Sequence, residues 1–372
     1  MVLSPRILII TAAFGEGHNS AARNMALALS AAGATTQVSD PCLLGTPRLT
    51  KFVNHAYRIV TTHFPQIWAR IYRSTDRCDL SQQHSRPLRM VEAKLAELIE
   101  QFRPDAVVST YPLYPYLMSR ISMKSGVKIP VFIVVTDSIK INAAWLRADC
   151  QRWIVTDAFT RKSMIDHGKP AEKVVDTGFP VNPVFSELIP LDSSVSCEPF
   201  RVLYFPTAKL PFVRRHGRAL LDASPNVHLT MILGRNVRSL YSRAKEIQKA
   251  YPGRVRLLGW TKRVPQMLNS HHLVVGKAGG ATVHEAIAAR CPMLIHHLVP
   301  GQEEGNLRLL EAIGGGYLAE TPSDLRRSVS DLLADHAAGW RTMKNALTRH
   351  NRNAGAITAA RFILNEISTT SP

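Results

Sequence analysis

This 372-residue sequence predicts two Rossmann-like α/β domains joined by a single linker. Three observations carry that expectation. Short β-branched or aliphatic runs alternate with helical patterns almost throughout, as right-handed βαβ units on a parallel sheet require. The alternation pauses once, near Pro180–Pro199, and then restarts. Each half also contains a strand that runs into glycines and then a helix start. The length agrees, being too great for one typical domain and comfortable for two.

The first half reads in order. Arg6–Thr11 is a strand by composition, and Ser20–Ala32 is an alanine-rich helix closed by Gly33. Thr35–Ser39 is a second strand. Leu88–Phe102 carries Val91, Leu95, Leu98 and Ile99 at helical spacing and stops before Arg103-Pro104, because a residue preceding proline leaves the α region. Ala106–Thr110 and Val131–Thr136 are further strands. Pro183, Pro190 and Pro199 around Asp192-Ser193-Ser194 mark the linker. In the second half, Arg201–Phe205, His228–Leu233, Val255–Leu258, Leu273–Val275 and Met293–Ile295 read as strands with helices between them. A last helical pattern, Ile357–Ile367, belongs to no βα unit. The expected division is residues 1–181, a linker at 182–199, a second domain at 200–345, and a C-terminal helical segment, 346–372, that returns to the first domain.

Bulk composition narrows the function classes. There are 46 Lys+Arg against 28 Asp+Glu, a net charge of +18, and such a field attracts polyanions, either nucleic acid or an anionic membrane. Solubility alone is the plain alternative. The five cysteines are widely spaced, with no two at metal-ligand spacing, and read as reduced thiols. Ile7-Leu8-Ile9-Ile10 is too short for a signal h-region, and no stretch approaches the roughly 18–20 apolar residues of a membrane span. A cytoplasmic protein, soluble or peripheral on a membrane, is the expectation.

The first chemical motif is Phe14-Gly15-Glu16-Gly17-His18-Asn19-Ser20, following the first strand. Gly15 and Gly17 permit unusual backbone angles and close ligand approach. Asn19 or Ser20 is the expected helix cap, and the helix N-terminus offers N–H groups to an anion. The segment lacks the third glycine of the dinucleotide fingerprint and the Gly-Lys-Ser/Thr of a Walker A loop. His18 stands where open α/β sheets bind ligands and suits a general base; a surface histidine at a turn is the alternative reading.

The second motif is Lys277-Ala278-Gly279-Gly280-Ala281-Thr282-Val283-His284-Glu285. Thr282 is expected to cap the helix and contact phosphate. Glu285, expected in its first turn, can take two hydrogen bonds from a ribose diol or simply favour the helix dipole. The next strand leads to Pro300-Gly301-Gln302-Glu303-Glu304-Gly305-Asn306, where Gln302, Glu303 and Asn306 suit sugar hydroxyls.

Together these motifs resemble those of the monogalactosyldiacylglycerol synthases and processive diacylglycerol glucosyltransferases, relatives of the lipid II N-acetylglucosaminyltransferase. The resemblance spans nearly the whole chain. Gly15-Glu16-Gly17-His18-Asn19-Ser20-Ala21 matches the family's Gly-Gly-Gly-His-x-x-Ala loop. Pro104-Asp105, Val135-Thr136-Asp137, Thr177-Gly178-Phe179-Pro180-Val181 and Leu258-Gly259-Trp260-Thr261 fall in the expected places, and Pro300-Gly301-Gln302-Glu303-x-Gly305-Asn306 is the most specific. The resemblance implies a GT-B fold, two domains facing across a cleft, and an inverting, metal-independent transfer of a hexose from a UDP-sugar to a diacylglycerol-type lipid, with no cofactor. It implies His18 as base or positioning group, the uracil near the main chain after Gly259, the ribose on Glu285, and the sugar on Gln302 and Glu303; Gly17, Thr261, Val264, Gly279, Gly280, Thr282 and Asn306 complete the candidate donor-binding residues. One departure stands out. The family's glycine-rich loop after the second domain's first strand is replaced by Phe205-Pro206-Thr207-Ala208-Lys209. Thr207 and Lys209 are the candidate phosphate contacts there.

Between the second strand and Leu88 lies a basic, aromatic insertion that includes Phe52, Arg58, Phe64, Trp68, Arg70 and Arg73. Such a mixture suits an interfacial element on anionic lipid at the inner face of the cell membrane. A stacking platform for single-stranded nucleic acid uses the same residue types, and a helical cap with core aromatics is the third reading. A sugar-nucleotide epimerase of the same fold and a non-catalytic lipid-binding relative are the rival functions.

Overall fold

The computed structural model describes residues 4–77, 80, 83–207 and 210–370. It divides into two compact units, the first being Met1–Pro183, Pro300–Gly305 and Ala354–Pro372, the second Val184–Val299 and Asn306–Asn353.

The first unit contains β1 (Arg6–Ile10), α1 (Glu16–Ala31), β2 (Thr35–Ser39), α2 (Pro41–Gly45), α3 (Pro47–His63), α4 (Pro65–Arg77), α5 (Arg86–Phe102), β3 (Ala106–Ser109), α6 (Tyr114–Ser125), β4 (Val131–Val134), α7 (Ala143–Leu146), β5 (Arg152–Val155), α8 (Ala158–Asp166) and β6 (Val174–Asp176). Its parallel sheet runs β2-β1-β3-β4-β5-β6. Ile7, Leu8, Ile9 and Ile10 are all fully buried, as expected of a central parallel strand covered on both faces. Ile7 and Ile9 pack with Met25 and Leu29, and Leu8 and Ile10 with Leu95, Leu98 and Tyr114. The order reverses between β1 and β3, so the carboxyl ends of these two strands form the switch point at which open α/β sheets bind ligands.

The second unit contains β7 (Phe200–Tyr204), α9 (Leu210–Leu221), β8 (Val227–Ile232), α10 (Val237–Ala250), β9 (Val255–Leu258), α11 (Val264–Ser270), β10 (Leu273–Lys277), α12 (Gly280–Ala288), β11 (Met293–His297), α13 (Glu304–Ala312, entering from the first unit), β12 (Gly316–Leu318) and α14 (Pro322–His350). Its parallel sheet runs β12-β11-β10-β7-β8-β9, with the switch point between β7 and β10. α14 starts on a capping box between Thr321 and Asp324 and is broken at 334–337, where Asp335, His336 and Ala337 are left-handed. Beyond the break Trp340 is fully buried, and its indole N–H donates to the His272 carbonyl at 2.6 Å.

The last helix, α15 (Gly355–Thr370), packs in the first unit, where Ile363 and Ile367 join the Ile7–Met25 core. Its first residue is glycine for a steric reason: a Cβ on Gly355 would collide with the Phe179 carbonyl oxygen. The strands β5, β6 and β12 were absent from the sequence reading. β6 and β12 have only three residues each, too few for a periodic signal, and β5 opens on Arg152-Trp153 instead of an aliphatic run.

Candidate functional site

In the first unit the glycine–histidine loop leaves β1 at the switch point. Gly15 is the N-cap of α1, at φ 113°, a conformation open mainly to glycine. The helix therefore begins at Glu16, not at Ser20, and neither Asn19 nor Ser20 caps it. Asn19 Oδ1 instead accepts from the Thr11 hydroxyl at 3.2 Å. Gly17 is already helical, and its Cα faces open space; close approach, not an unusual φ, is what this glycine permits.

His18 is thus in the first turn of α1. Its Nδ1–H donates to the Thr110 carbonyl at 2.8 Å, and the Thr136 hydroxyl lies 2.9 Å from the same nitrogen. A carbonyl can only accept, so the proton resides on Nδ1 and the lone pair on Nε2. The ring stands edge-on to Tyr111 and 6.1 Å from Trp145. Burial pushes the imidazole down to about 4, partly opposed by the bond to Thr110. His18 is therefore neutral throughout the physiological range and ready to accept a proton. Beside Thr136, the Asp137 carboxyl is pushed up to about 6 by burial, while a 2.9 Å hydrogen bond from the Trp145 indole pulls it back. Thr110 directly follows β3 and Thr136 lies two residues past β4, and the ends of these strands bring them to the loop after β1. Sequence reading singled out the Thr136-Asp137 motif but missed Trp145 and the Thr110 carbonyl. A backbone acceptor leaves no trace in residue type.

The Gln302 segment also belongs to this unit. The Tyr57 hydroxyl of α3 donates to Gln302 Oε1 at 3.1 Å, so the Gln302 amide NH₂ is directed elsewhere. Glu303 is buried. Glu304 accepts from the Gly301 N–H at 2.9 Å and pairs with Lys140 at 2.8 Å. A Cβ on Gly305 would run into the Ser138 carbonyl oxygen, so this turn seats tightly on the loop after Asp137.

The insertion forms α3 and α4. Phe52 and Phe64 are 70% and 51% exposed, and Leu49, Ile59, Ile67 and Ile71 are exposed as well. Arg58, Arg70 and Arg73 are exposed. Trp68 is not one of this outward set. It packs edge-on against Tyr57 at 4.8 Å with its indole nitrogen buried, which corrects its expected place beside Phe52 and Phe64.

In the second unit β10 and β7 are hydrogen-bonded neighbours, so the strand ends carrying Gly279 and Thr207 adjoin. Gly279 is the N-cap of α12. Thr282 is accordingly in the first turn instead of at the cap, and Glu285 is in the second turn instead of the first. The displacement has a local reason: Gly279-Gly280 itself makes the strand-to-helix bend. The Gly280, Ala281 and Thr282 amides head the helix, where an anion is favoured. The Asn306 amide donates to the Ala278 carbonyl at 3.0 Å, leaving its buried Oδ1 without a partner. The Thr207 hydroxyl is buried and unpartnered as well. Lys209 lies outside the described residues. Thr261 precedes α11 and accepts from the Arg263 N–H at 3.0 Å, and Val264 is the first residue of that helix.

Comparison with known proteins now bears on these two units. Residues 18–181 match the family model for monogalactosyldiacylglycerol (MGDG) synthase. A processive diacylglycerol β-glucosyltransferase of Bacillus licheniformis is 23% identical over 364 residues, covering 96% of this chain and 94% of the relative. Among solved structures, MurG of Acinetobacter baumannii is 16% identical with a TM-score of 0.64, covering 98% of this chain and all of that one. The fold is GT-B. The UDP-GlcNAc 2-epimerase of Neisseria meningitidis, bound to UDP-GlcNAc, shares it at 14% identity and a TM-score of 0.61, over 98% of this chain and 100% of that one. The chain is thus similar to the monogalactosyldiacylglycerol synthases and diacylglycerol glucosyltransferases, as its motifs imply. No described helix is long and apolar enough to cross a membrane.

Proposed function

We propose that the chain is an inverting, metal-independent glycosyltransferase that moves a hexose from a UDP-sugar to the hydroxyl of a diacylglycerol-type lipid. The observation that carries this reading is His18, neutral and with its Nε2 lone pair unengaged by the Nδ1–Thr110 bond, at the switch point of the first sheet. The acceptor hydroxyl attacks the anomeric carbon as the bond to the diphosphate breaks. The hydroxyl proton passes to His18 Nε2, and UDP carries away the negative charge. One displacement inverts the anomeric centre. A base whose conjugate acid lies near 4 is ready but weak, so aligning the hydroxyl is a large part of its work. The amides at the start of α12, the Thr207 hydroxyl and Lys209 are the groups assigned to the leaving diphosphate; Glu285 is assigned to the ribose, and Gln302, Glu303 and Asn306 to the sugar.

Diacylglycerol stays in the bilayer, so the protein must come to it. The exposed Phe52 and Phe64 with Arg58, Arg70 and Arg73 supply apolar insertion and charge, the two signals stable docking requires. We assign the protein to the cytoplasmic face of the cell membrane. The second reading, a sugar-nucleotide epimerase, is favoured by the fold it shares with the Neisseria enzyme. One experiment separates them. The transferase binds UDP in calorimetry, consumes UDP-sugar only when a lipid acceptor is supplied, and keeps its rate in a chelator. An epimerase isomerises UDP-sugar with no acceptor present.

A further inference from the structure

α1 carries His18 in its first turn, yet its N-cap, Gly15, has no side chain to offer the helix's free N–H groups. Glycine is also the residue that restrains its own backbone least. Placement of His18 then depends on the residues just before Gly15. Three groups hold them. The Ser39 carbonyl accepts from the Thr11 N–H at 3.0 Å, the Tyr114 hydroxyl donates to the Thr11 carbonyl at 2.9 Å, and Asp40 Oδ2 accepts from the Ala13 N–H at 3.1 Å. Beyond Ala13, Phe14 stacks on Tyr111, the ring that meets His18 edge-on. Asp40 differs from the other two groups because it joins the loop to a second element. Its Oδ1 accepts from the Leu43 N–H at 2.9 Å and so caps α2. α2 is itself seated on α5 with no room to shift, since a Cβ on Gly45 would lie 2.9 Å from the Met90 carbonyl oxygen. α3 is tied to the same place by the Thr50 hydroxyl, which donates to the Cys42 carbonyl at 2.7 Å. One carboxylate thus fastens a glycine-hinged loop to a fixed helix, through charge-assisted bonds stronger than neutral ones.

We propose that Asp40 is a positioning residue for the transfer reaction: through the Ala13 N–H it sets the first turn of α1, and with it the hydrogen bond between His18 Nδ1 and the Thr110 carbonyl. This rests on the reading of His18 as the group that receives the acceptor's proton. Asp40 acts through His18 and needs no contact with substrate, because its two oxygens are engaged by the Ala13 and Leu43 amides. The bond it protects is the one that selects the tautomer. Thr110 follows β3 in the sheet, whereas His18 moves with α1. The bond is 2.8 Å long, and a displacement of about 1 Å would carry it past hydrogen-bonding range. The ring could then take either tautomer, and its Nε2 lone pair would no longer be held toward the acceptor hydroxyl. A misplacement of about 1 Å costs up to about 10²-fold in rate.

Two substitutions in the full chain separate positioning from simple support of the fold. Asp40→Ser keeps a hydroxyl able to cap α2 but is too short to hold the Ala13 N–H as well. Asp40→Asn keeps the shape, but its amide has one accepting oxygen where the carboxylate has two, so one of the two N–H groups loses its acceptor. Each should lower kcat about 10–100-fold and leave KM for the UDP-sugar unchanged. The ring-nitrogen NMR spectrum of His18 should show a single Nδ1–H tautomer in the unsubstituted protein and both tautomers in the variants. A residue that only supports the fold lowers Tm but leaves that spectrum, and kcat measured below the melt, as they were. That result in both variants overturns the proposal, as does a rise in KM at unchanged kcat or a mixture of tautomers in the unsubstituted protein. The spectrum is read with no substrate present. A protein that transfers no sugar but shows the change of tautomer sustains the role of Asp40 in placing His18 and counts against the enzymatic reading alone.

Discussion

At the residue scale the proposed chemistry centres on His18. Its Nδ1 bond to the Thr110 carbonyl selects the tautomer, and burial keeps the ring neutral. Replacing it with alanine should cut turnover by about 10²–10⁴-fold with folding intact, as loss of a general base does; circular dichroism and steady-state kinetics check both halves. The depressed pKa gives a second expectation. An ordinary histidine half-protonates near pH 6.5. Here kcat/KM should show no limb at that pH assignable to His18, and an NMR titration of its ring should stay flat from pH 7.5 to 5.5. The identity of this residue was legible from its place after a strand and two glycines. Its tautomer was not, because the group that sets it is a backbone oxygen 92 positions away. Trp68 makes the same point more sharply. Composition grouped it with Phe52 and Phe64, but it packs edge-on against Tyr57, whose hydroxyl bonds the distant Gln302, and no helical period encodes a partner so remote.

At the scale of elements, glycines decide where chains meet. Gly355 opens α15 against the Gly178–Phe179 backbone, so Gly355→Ala must displace one of them. The expected cost is about 1–3 kcal/mol, read as a lower urea midpoint at unchanged m-value. The strands that were easiest to read, β1 and β10, are continuous apolar runs at sheet centres. The start of α1 was misplaced because Gly17, a poor helix former, sits inside its first turn. The α3–α4 hairpin presents Arg58, Arg70 and Arg73 to solvent, and each basic group near an anionic leaflet contributes about 1 kcal/mol. Changing the three to glutamate should abolish the preference for anionic over neutral vesicles in cosedimentation. Tight single-stranded DNA binding that survives the change would place nucleic-acid affinity elsewhere on the basic surface.

Over the whole molecule, net charge and buried histidines set the response to solution conditions. With +18 charges, vesicle binding should weaken steadily with salt as the Debye length shrinks. Acid should destabilise the second unit. Burial lowers His272 and His296 to about 4 and His216 to about 3; Arg201 and Lys344 beside His272, and His297 beside the other two, act in the same direction. Folded-state values below the unfolded 6.5 mean that the unfolded chain takes up the protons first. Stability is therefore full above about 6.5 and is lost as pH falls toward 4, at roughly 2 kcal/mol per histidine between pH 7 and 5. In the first unit His18, lowered to about 4, and Asp137, raised to about 6, act in opposite directions, so the loss in acid falls chiefly on the second unit. His216→Phe, retaining the stack on Phe212, should flatten the dependence of the melting temperature on pH.

The claim that joins these scales is transfer of a sugar to a lipid hydroxyl at His18. Its most direct test is to incubate the protein with UDP-hexose and diacylglycerol in anionic vesicles and identify the lipid-soluble product by NMR. The account predicts a hexosyl-diacylglycerol with inverted, β anomeric configuration, formed at least a hundredfold more slowly by His18→Ala. No glycolipid from any UDP-hexose, or equal yield from His18→Ala, would contradict it.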